Sequence, residues 1–213
     1  MSDRVNPKLV LASASPRRLV LLEQIGLMPD LLNPADVDET PLKRESPRRL
    51  ALRLAEEKVK TAATAPLVTA LDSNRYIVGA DTVVGLGRRC LPKAETLEDA
   101  RDCLNLLSGR SHWVYSAVAV MDSKGAVSTR CCETKVRFKR LSRDDIETYL
   151  ASEEWRGKAG GYAIQGRAGA FVRNLAGSHS AVVGLPLYET VALLEGAGYP
   201  VHKMWAQLSV SQF

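Results

Sequence analysis

Asp81 is the residue whose setting most demands a chemical explanation. It interrupts Tyr76-Ile77-Val78-Gly79-Ala80-Asp81-Thr82-Val83-Val84, an otherwise apolar run of the buried-strand type. A carboxylate there is costly unless it is paired, hydrogen-bonded or bound to metal, although Thr82 beside it also offers a purely structural partner. Lys58 poses the same question on a helix. Leu50, Ala51, Leu54, Ala55, Val59 and Ala62 repeat as an inward stripe, and Lys58 falls on that stripe while Glu56, Glu57 and Lys60 point elsewhere. Its ammonium either snorkels to water along its own stem or meets an anion.

The third candidate is Ser13-Ala14-Ser15-Pro16-Arg17-Arg18. An apolar run, Lys8 to Ala12, breaks here at small residues, and a helical pattern follows in Leu19, Leu22 and Ile25. Ser15 reads as the N-cap and Pro16 as the first helical residue. Free N–H groups and the positive end of the helix then converge on one spot, with two guanidinium forks beside it. That arrangement suits a phosphate. Taken alone, these residues are equally an ordinary strand-to-helix turn with solvated arginines. The acidic loop Ala35-Asp36-Val37-Asp38-Glu39-Thr40 is likewise open, as a solvated turn or as a holder of a divalent cation with substrate phosphates. Lys93, in a loop before a helix capped at Thr96, says little by itself.

The elements that must position these residues follow from punctuation and period. The spacing predicts a short strand closed by Pro34, a helix from Ser46-Pro47 to about Ala63, and a connecting loop from Thr64 to Arg75. After the Thr96 helix, a β-hairpin of Ser111–Met121 and Ala126–Phe138 turns at Asp122-Ser123-Lys124-Gly125. A helix starts at Ser142, and Glu153 to Gly161 is a Gly-rich loop before Tyr162-Ala163-Ile164-Gln165-Gly166. Ala170–Asn174 and Ser180–Val183 read as strands, and Leu187–Glu195 as the last helix.

Composition narrows the classes. A chain of 213 residues with 46% hydrophobic content has the length for one α/β domain or two small lobes. Lys+Arg 29 against Asp+Glu 24 gives net +5, suited to an anionic small ligand, with no basic block to argue for stable nucleic-acid binding. No stretch has the purity of a membrane span and none resembles a signal peptide, so the cytoplasm is the expected compartment. Cys90, Cys103, Cys131 and Cys132 lack zinc spacing and read as reduced packing residues.

Four motifs in order carry a resemblance. Ser13-Ala14-Ser15-Pro16-Arg17-Arg18, Ala80-Asp81-Thr82-Val83-Val84, Lys158-Ala159-Gly160-Gly161-Tyr162-Ala163-Ile164-Gln165-Gly166 and Val183-Gly184-Leu185-Pro186-Leu187 are similar to those of the Maf family of nucleoside triphosphate pyrophosphatases. The resemblance implies one domain, residues 1–213, with a mixed α/β fold, an elongated sheet, flanking helices and a cleft between two lobes, related to the inosine-triphosphate pyrophosphatases (Ham1). It implies cleavage of a nucleoside triphosphate between its α and β phosphates with magnesium or manganese. Carried over to this chain, Ser13, Arg17, Arg18, Lys58 and Lys93 hold the triphosphate, Glu39 and Asp81 orient metal and water, and Asp81 is the base. Arg17, Thr82 and Gln165 match the subgroup resembling dTTP/UTP pyrophosphatases, where the Gln amide offers donor and acceptor to a pyrimidine edge. One departure is Pro92-Lys93-Ala94, where the family reads Gly-Lys-Pro. His179 is expected to be structural. A nucleotide-sensing regulator of septum formation without turnover is the alternative, and the long hairpin leaves a homodimer open.

Overall fold

The computed structural model describes residues 6–71 and 73–208. Its centre is a seven-stranded mixed sheet, and its order explains where a ligand can enter. Strand β1 (Lys8–Leu11) feeds helix α1 (Pro16–Gln24), which returns to β2 (Leu31–Leu32) at the sheet's edge. Helix α2 (Pro47–Ala63) begins where Ser46 Oγ accepts from the Arg49 N–H, 3.4 Å away, with Pro47 at the first helical position. A short helix α3 (Pro66–Thr69) occupies the span expected to be loop, started by Pro66 just as Pro16 and Pro47 start theirs.

The sheet is completed by β3 (Arg75–Leu86), β4 (Arg89–Leu91) and the hairpin β6 (Ser111–Met121) and β7 (Val127–Phe138). Between β4 and β6 lie β5 (Lys93–Ala94) and helix α4 (Leu97–Leu107), whose capping box pairs Thr96 with Asp99. Helix α5 (Arg143–Ala151), with the Ser142/Asp145 box, precedes β8 (Lys158–Ala159). After a 3₁₀ turn at Arg167–Phe171 come β9 (Val172–Ala176), α6 (His179–Val183), α7 (Leu187–Gly196) and α8 (Val201–Leu208).

Four expectations need correction. Ser180–Val183 belongs to a helix, because Ser178 Oγ caps it through the Ala181 N–H at 3.2 Å. The strand placed at Ala170–Asn174 starts as the 3₁₀ turn and becomes extended only at Val172. Leu187–Gly196 is followed by α8, so it is not the last helix. Lys93 lies on a strand, pairing opposite Ala159 in a two-stranded ribbon with β8.

Strand order runs β2-β1-β3-β6-β7-β9, with β4 also on β3. Strands β1 and β2 run parallel to their neighbours, while β3, β6, β7 and β9 pair antiparallel. The period of two splits the core between the faces. Val10, Ile77, Val83, Ala117 and Ala119 pack under α2, whereas Leu9, Leu11, Val78, Ala80, Val84, Val114 and Val118 pack against the opposite helices. Each such buried aliphatic contributes about 1.5–3 kcal/mol relative to exposure.

One break in the ladders matters most. On one edge of β3, β1 pairs only with Arg75 to Val78, ending in the Ala12 N–H to Val78 C=O bond of 2.8 Å. On the same edge β4 begins at Val84. Between them, among the described residues, the strand has no paired neighbour on that side, and Asp81 and Thr82 sit in the gap. A site at the carboxyl end of a parallel strand is where α/β sheets accept ligands. Among the described residues, no helix is long and apolar enough to cross a membrane.

Candidate functional site

The gap in β3 opens into a cleft of about 220 Å³ that Ser13, Arg17, Arg18, Glu39, Lys58, Asp81, Thr82, Lys93 and Gln165 all line. Every candidate from the sequence therefore reaches one space. They arrive from six places: the β1–α1 turn, the acidic loop, α2, β3, the β5–β8 ribbon, and the turn after Tyr162.

At its floor, Lys58 settles the question its position raised. The side chain is 7% exposed, and its ammonium donates to Asp81 Oδ1 at 2.6 Å and to Glu39 Oε1 at 2.8 Å. Asp81 is 3% exposed, so the lysine is the cation that makes its burial tolerable. Lys93 reaches the second oxygen of Glu39 from the ribbon. Partial burial alone raises the Glu39 carboxyl, but hydrogen bonds from Lys58 and Lys93 outweigh it and bring the pKa down to about 2. The chain Asp81–Lys58–Glu39–Lys93 thus alternates in sign across the cleft.

The opposite wall is positive without matching anions. Burial, then the neighbouring Arg18, depresses the pKa of Arg17. Burial depresses Arg18 as well, with Asp81 and Glu39 pulling the other way. A guanidinium so destabilised gains from any anion that enters. The two arginines are committed differently. Arg18 donates through Nε to the Gly184 carbonyl at 2.9 Å and through Nη1 to Ser13 Oγ at 3.1 Å, tying α1 to the end of α6. Among the described residues, Arg17 makes no side-chain hydrogen bond. Ser15 occupies the N-cap position as its sequence predicts, but its hydroxyl makes no capping bond; its carbonyl instead accepts from the Arg18 and Leu19 N–H groups at 3.1 and 3.4 Å.

Thr82 lies on the other face of β3 from Asp81. Its Oγ1 is 3.1 Å from Ser116 Oγ, and Ser116 donates to the Ala181 carbonyl at 2.5 Å. Gln165 is exposed, where the cleft meets a second cavity bounded by Arg17, Glu154, Lys158 and Gly166. The turn carrying it is anchored from below: the Tyr149 hydroxyl accepts from the Ala163 N–H at 3.0 Å, and Tyr162 is bonded to His112 Nε2 at 2.8 Å.

Several functional contributors escaped the sequence reading. Arg53 pins the acidic loop by donating to the Thr40 carbonyl at 3.0 Å while paired to Glu45 and Glu57, and so holds Glu39 in place. Lys158, paired opposite Ala94, lines the cleft from the ribbon, and burial lowers its pKa. Its place directly before Ala159-Gly160-Gly161 was the available signal. Ser116 had none, being one polar residue in an alternating hairpin. His179 is exposed at the start of α6, away from this cleft. All four cysteines are free thiols, and burial pushes Cys103 up to about 11 and Cys131 up to about 12, which leaves them unreactive.

Among the described residues, no three His, Cys, Asp or Glu side chains cluster as a protein-built metal site. Glu39 and Asp81, drawn together on one ammonium, are the oxygen pair able to hold a hard cation whose remaining ligands come from phosphate and water.

Residues 8–197 match the family model described as "Maf-like protein". A "dTTP/UTP pyrophosphatase" of Mesorhizobium japonicum is 58% identical over 93% of this chain and 95% of its own. Proteins of the same description from Rhodopseudomonas palustris (strain HaA2) and Agrobacterium fabrum are 57% and 54% identical, covering 95% and 94% of this chain and 98% and 97% of theirs. Among solved structures, a HAM1 protein from Coxiella burnetii overlaps 64% of this chain and 75% of its own at 16% identity and a TM-score of 0.42, a likeness too slight to build on.

Proposed function

The chain belongs to the Maf family, and from that premise and the geometry above we propose that it is a nucleoside triphosphate pyrophosphatase acting on dTTP and UTP. Water attacks the α-phosphorus, the bond to the bridging oxygen of the β-phosphate breaks, and the products are the nucleoside monophosphate, pyrophosphate and a proton. The observation that carries this reading is a buried Asp81–Lys58 pair facing two half-buried arginines across one cleft. A triphosphate supplies the anions that the arginine wall lacks, and Lys58 and Lys93 have the reach to trade carboxylate oxygens for phosphate oxygens.

In this reading Ser13, Arg17, Arg18, Lys58 and Lys93 hold the triphosphate. Fixed cations there also stabilise the charge that builds on phosphate oxygens in the transition state. Asp81 takes the proton of the attacking water, a role suited to a carboxylate released from its lysine when substrate draws the ammonium away. Glu39 and Asp81 fit a magnesium or manganese ion, which when bound supplies further neutralisation of phosphate charge. Arg17, Thr82 and Gln165 surround the part of the cleft that selects the nucleoside. The substrate pool is cytoplasmic, residues 1–213 act as one domain whose lobes flank the cleft, and a homodimer through the β6–β7 hairpin is compatible with all of this. A sensor of septum formation without turnover is not favoured, since the relatives are described as enzymes.

Pyrophosphate release from a panel of nucleoside triphosphates, with magnesium and then manganese, tests the proposal. Wild type turns over dTTP and UTP, and Asp81→Asn loses at least about a hundredfold in kcat while still binding nucleotide. Near-normal activity in Asp81→Asn overturns the assignment of the base. Absence of turnover with every substrate in the wild type overturns the reaction.

A further inference from the structure

Gln165 is exposed, and among the described residues its amide has no hydrogen-bond partner. Nothing on the side chain itself therefore fixes where that amide stands at the mouth of the cleft. The task falls to the backbone on either side. Before Gln165 the chain is held at Tyr162 and at the Ala163 N–H, as described above. After it, the anchor is a carboxylate from a different segment.

Glu154 Oε2 accepts from the Arg167 N–H at 2.8 Å, and Glu154 Oε1 stands 3.6 Å from Arg167 Nε. That N–H opens the 3₁₀ turn Arg167–Phe171, for which Gly166 supplies no side-chain cap. A 3₁₀ turn has poor hydrogen-bond geometry of its own, and a bond to a charged acceptor is about twice as strong as a neutral one. The fit is close. A Cβ at Gly166 would lie 2.1 Å from the same Oε2, so the carboxylate fills the space that the glycine leaves open, directly behind Gln165. What aims Glu154 there is the residue before it. Glu153 has a φ of +58°, in the left-handed region that residues other than glycine enter only at a cost. This reversal at the end of α5 turns the chain toward the 165–167 turn, and the buried Trp155 fixes the next step by donating Nε1 to the Leu150 carbonyl at 2.9 Å. Backbone strain kept beside a candidate site is a pointer to function.

We propose that Glu154 is a positioning residue for this reaction: its carboxylate clamps the peptide that follows Gln165–Gly166 and so holds the Gln165 amide where the cleft meets the second cavity. The inference rests on the reading of Gln165 as a contact of the nucleoside. Glu154 acts only through that contact, so its loss weakens substrate binding while leaving the hydrolytic centre at Asp81 and Lys58 as it was.

The test is a cycle of Glu154→Ala and Gln165→Ala, read as KM and kcat for UTP with melting measured alongside. Each single variant raises KM roughly tenfold, the equivalent of one hydrogen bond, and leaves kcat within about twofold because ground state and transition state lose the same contact. Glu154→Gln, which keeps an acceptor for the Arg167 N–H, stays within about twofold of wild type in KM. In the Gln165→Ala background, Glu154→Ala adds less than about twofold to KM, yet lowers Tm by the same amount as in the wild type. A merely structural role multiplies KM equally in both backgrounds, and that result, or a wild-type KM in Glu154→Ala, overturns the clamp. Should Glu154→Ala not fold, Gly166→Ala places a methyl where Oε2 lies and displaces only a flexible side-chain end; an unchanged KM there overturns the clamp as well. A wild-type KM in Gln165→Ala is a different result, which removes the reading of Gln165 and this inference with it. Failure of the wild type on every triphosphate removes the catalytic reading itself.

Discussion

Lys58→Met is the perturbation with the largest consequence that the structure allows to be worked out. The substitution keeps the unbranched stem and removes the ammonium, leaving Asp81 at 3% exposure with its Lys58 bond gone. Breaking a buried pair by deleting one partner costs about 3–5 kcal/mol. In a chain of this length each kcal/mol lowers Tm by about 2–4 °C, so the variant should melt roughly 6–20 °C below wild type. Asp81→Asn is far milder. Lys58 keeps Glu39 at 2.8 Å and retains a neutral oxygen at position 81, at a cost of about 1–2 kcal/mol. The double variant Lys58→Met/Asp81→Asn no longer buries an unpaired charge, and it should therefore be more stable than Lys58→Met alone. Thermal unfolding at pH 7 of the four proteins closes the cycle, with an expected coupling of about 2 kcal/mol or more. Additive single effects, or a Lys58→Met variant within about 1 kcal/mol of wild type, would refute the claim that Lys58 is the counter-charge of Asp81 in the resting enzyme. Nucleotide turnover is lost in all three variants, so melting alone separates the outcomes.

The other expected outcomes follow from local geometry. A Cβ at Gly79 would stand 2.6 Å from Val59 Cγ2 and 2.9 Å from the Ala55 carbonyl, so Gly79→Ala should push α2 off β3, cost about 1–3 kcal/mol and reduce turnover by displacing Lys58. Gly196→Ala, with nothing within 4 Å, should leave both melting and activity near wild type. Burial brings His112 from 6.5 down to about 4, so the unfolded chain binds the extra proton first. Stability is whole above pH 6.5 and falls by roughly 2–3 kcal/mol as pH drops toward 4, a slope that urea melts should find missing in His112→Gln. Gln165→Glu should weaken UTP and dTTP relative to purine triphosphates, and an unaltered substrate ranking counts against Gln165 as a contact of the base.

The parts of the fold legible in the sequence are those with local punctuation. Ser46-Pro47, Thr96 with Asp99, and Ser142 with Asp145 each announce a helix start in a few residues, and the structure begins α2, α4 and α5 at those points. Lys58 and Asp81 were legible because each breaks a pattern that burial otherwise enforces. Ser180–Val183 was not, since a short apolar run fits strand and helix alike and only the distant packing of α6 on β6 decides between them. Lys93 was misplaced in a loop because a two-residue strand has no period to detect, and its partner lies far along the chain at Ala159. Ser116 and the Gly184 carbonyl matter only through the atoms they meet, Thr82 and Arg18, and neither residue type carries that information.

Asp81 and Thr82 are adjacent in sequence yet answer to different halves of the molecule, one to α2 and the other to α6, because side chains on a strand alternate. In the proposed function, hydrolysis and discrimination would thereby fall to separate neighbourhoods only one peptide bond apart. Under the proposed function, a change at position 82 alters which nucleotides the cleft accepts without disturbing the lysine that keeps the water-activating carboxylate in order. Descendants of such a scaffold can diverge in diet while inheriting the same hydrolytic machinery.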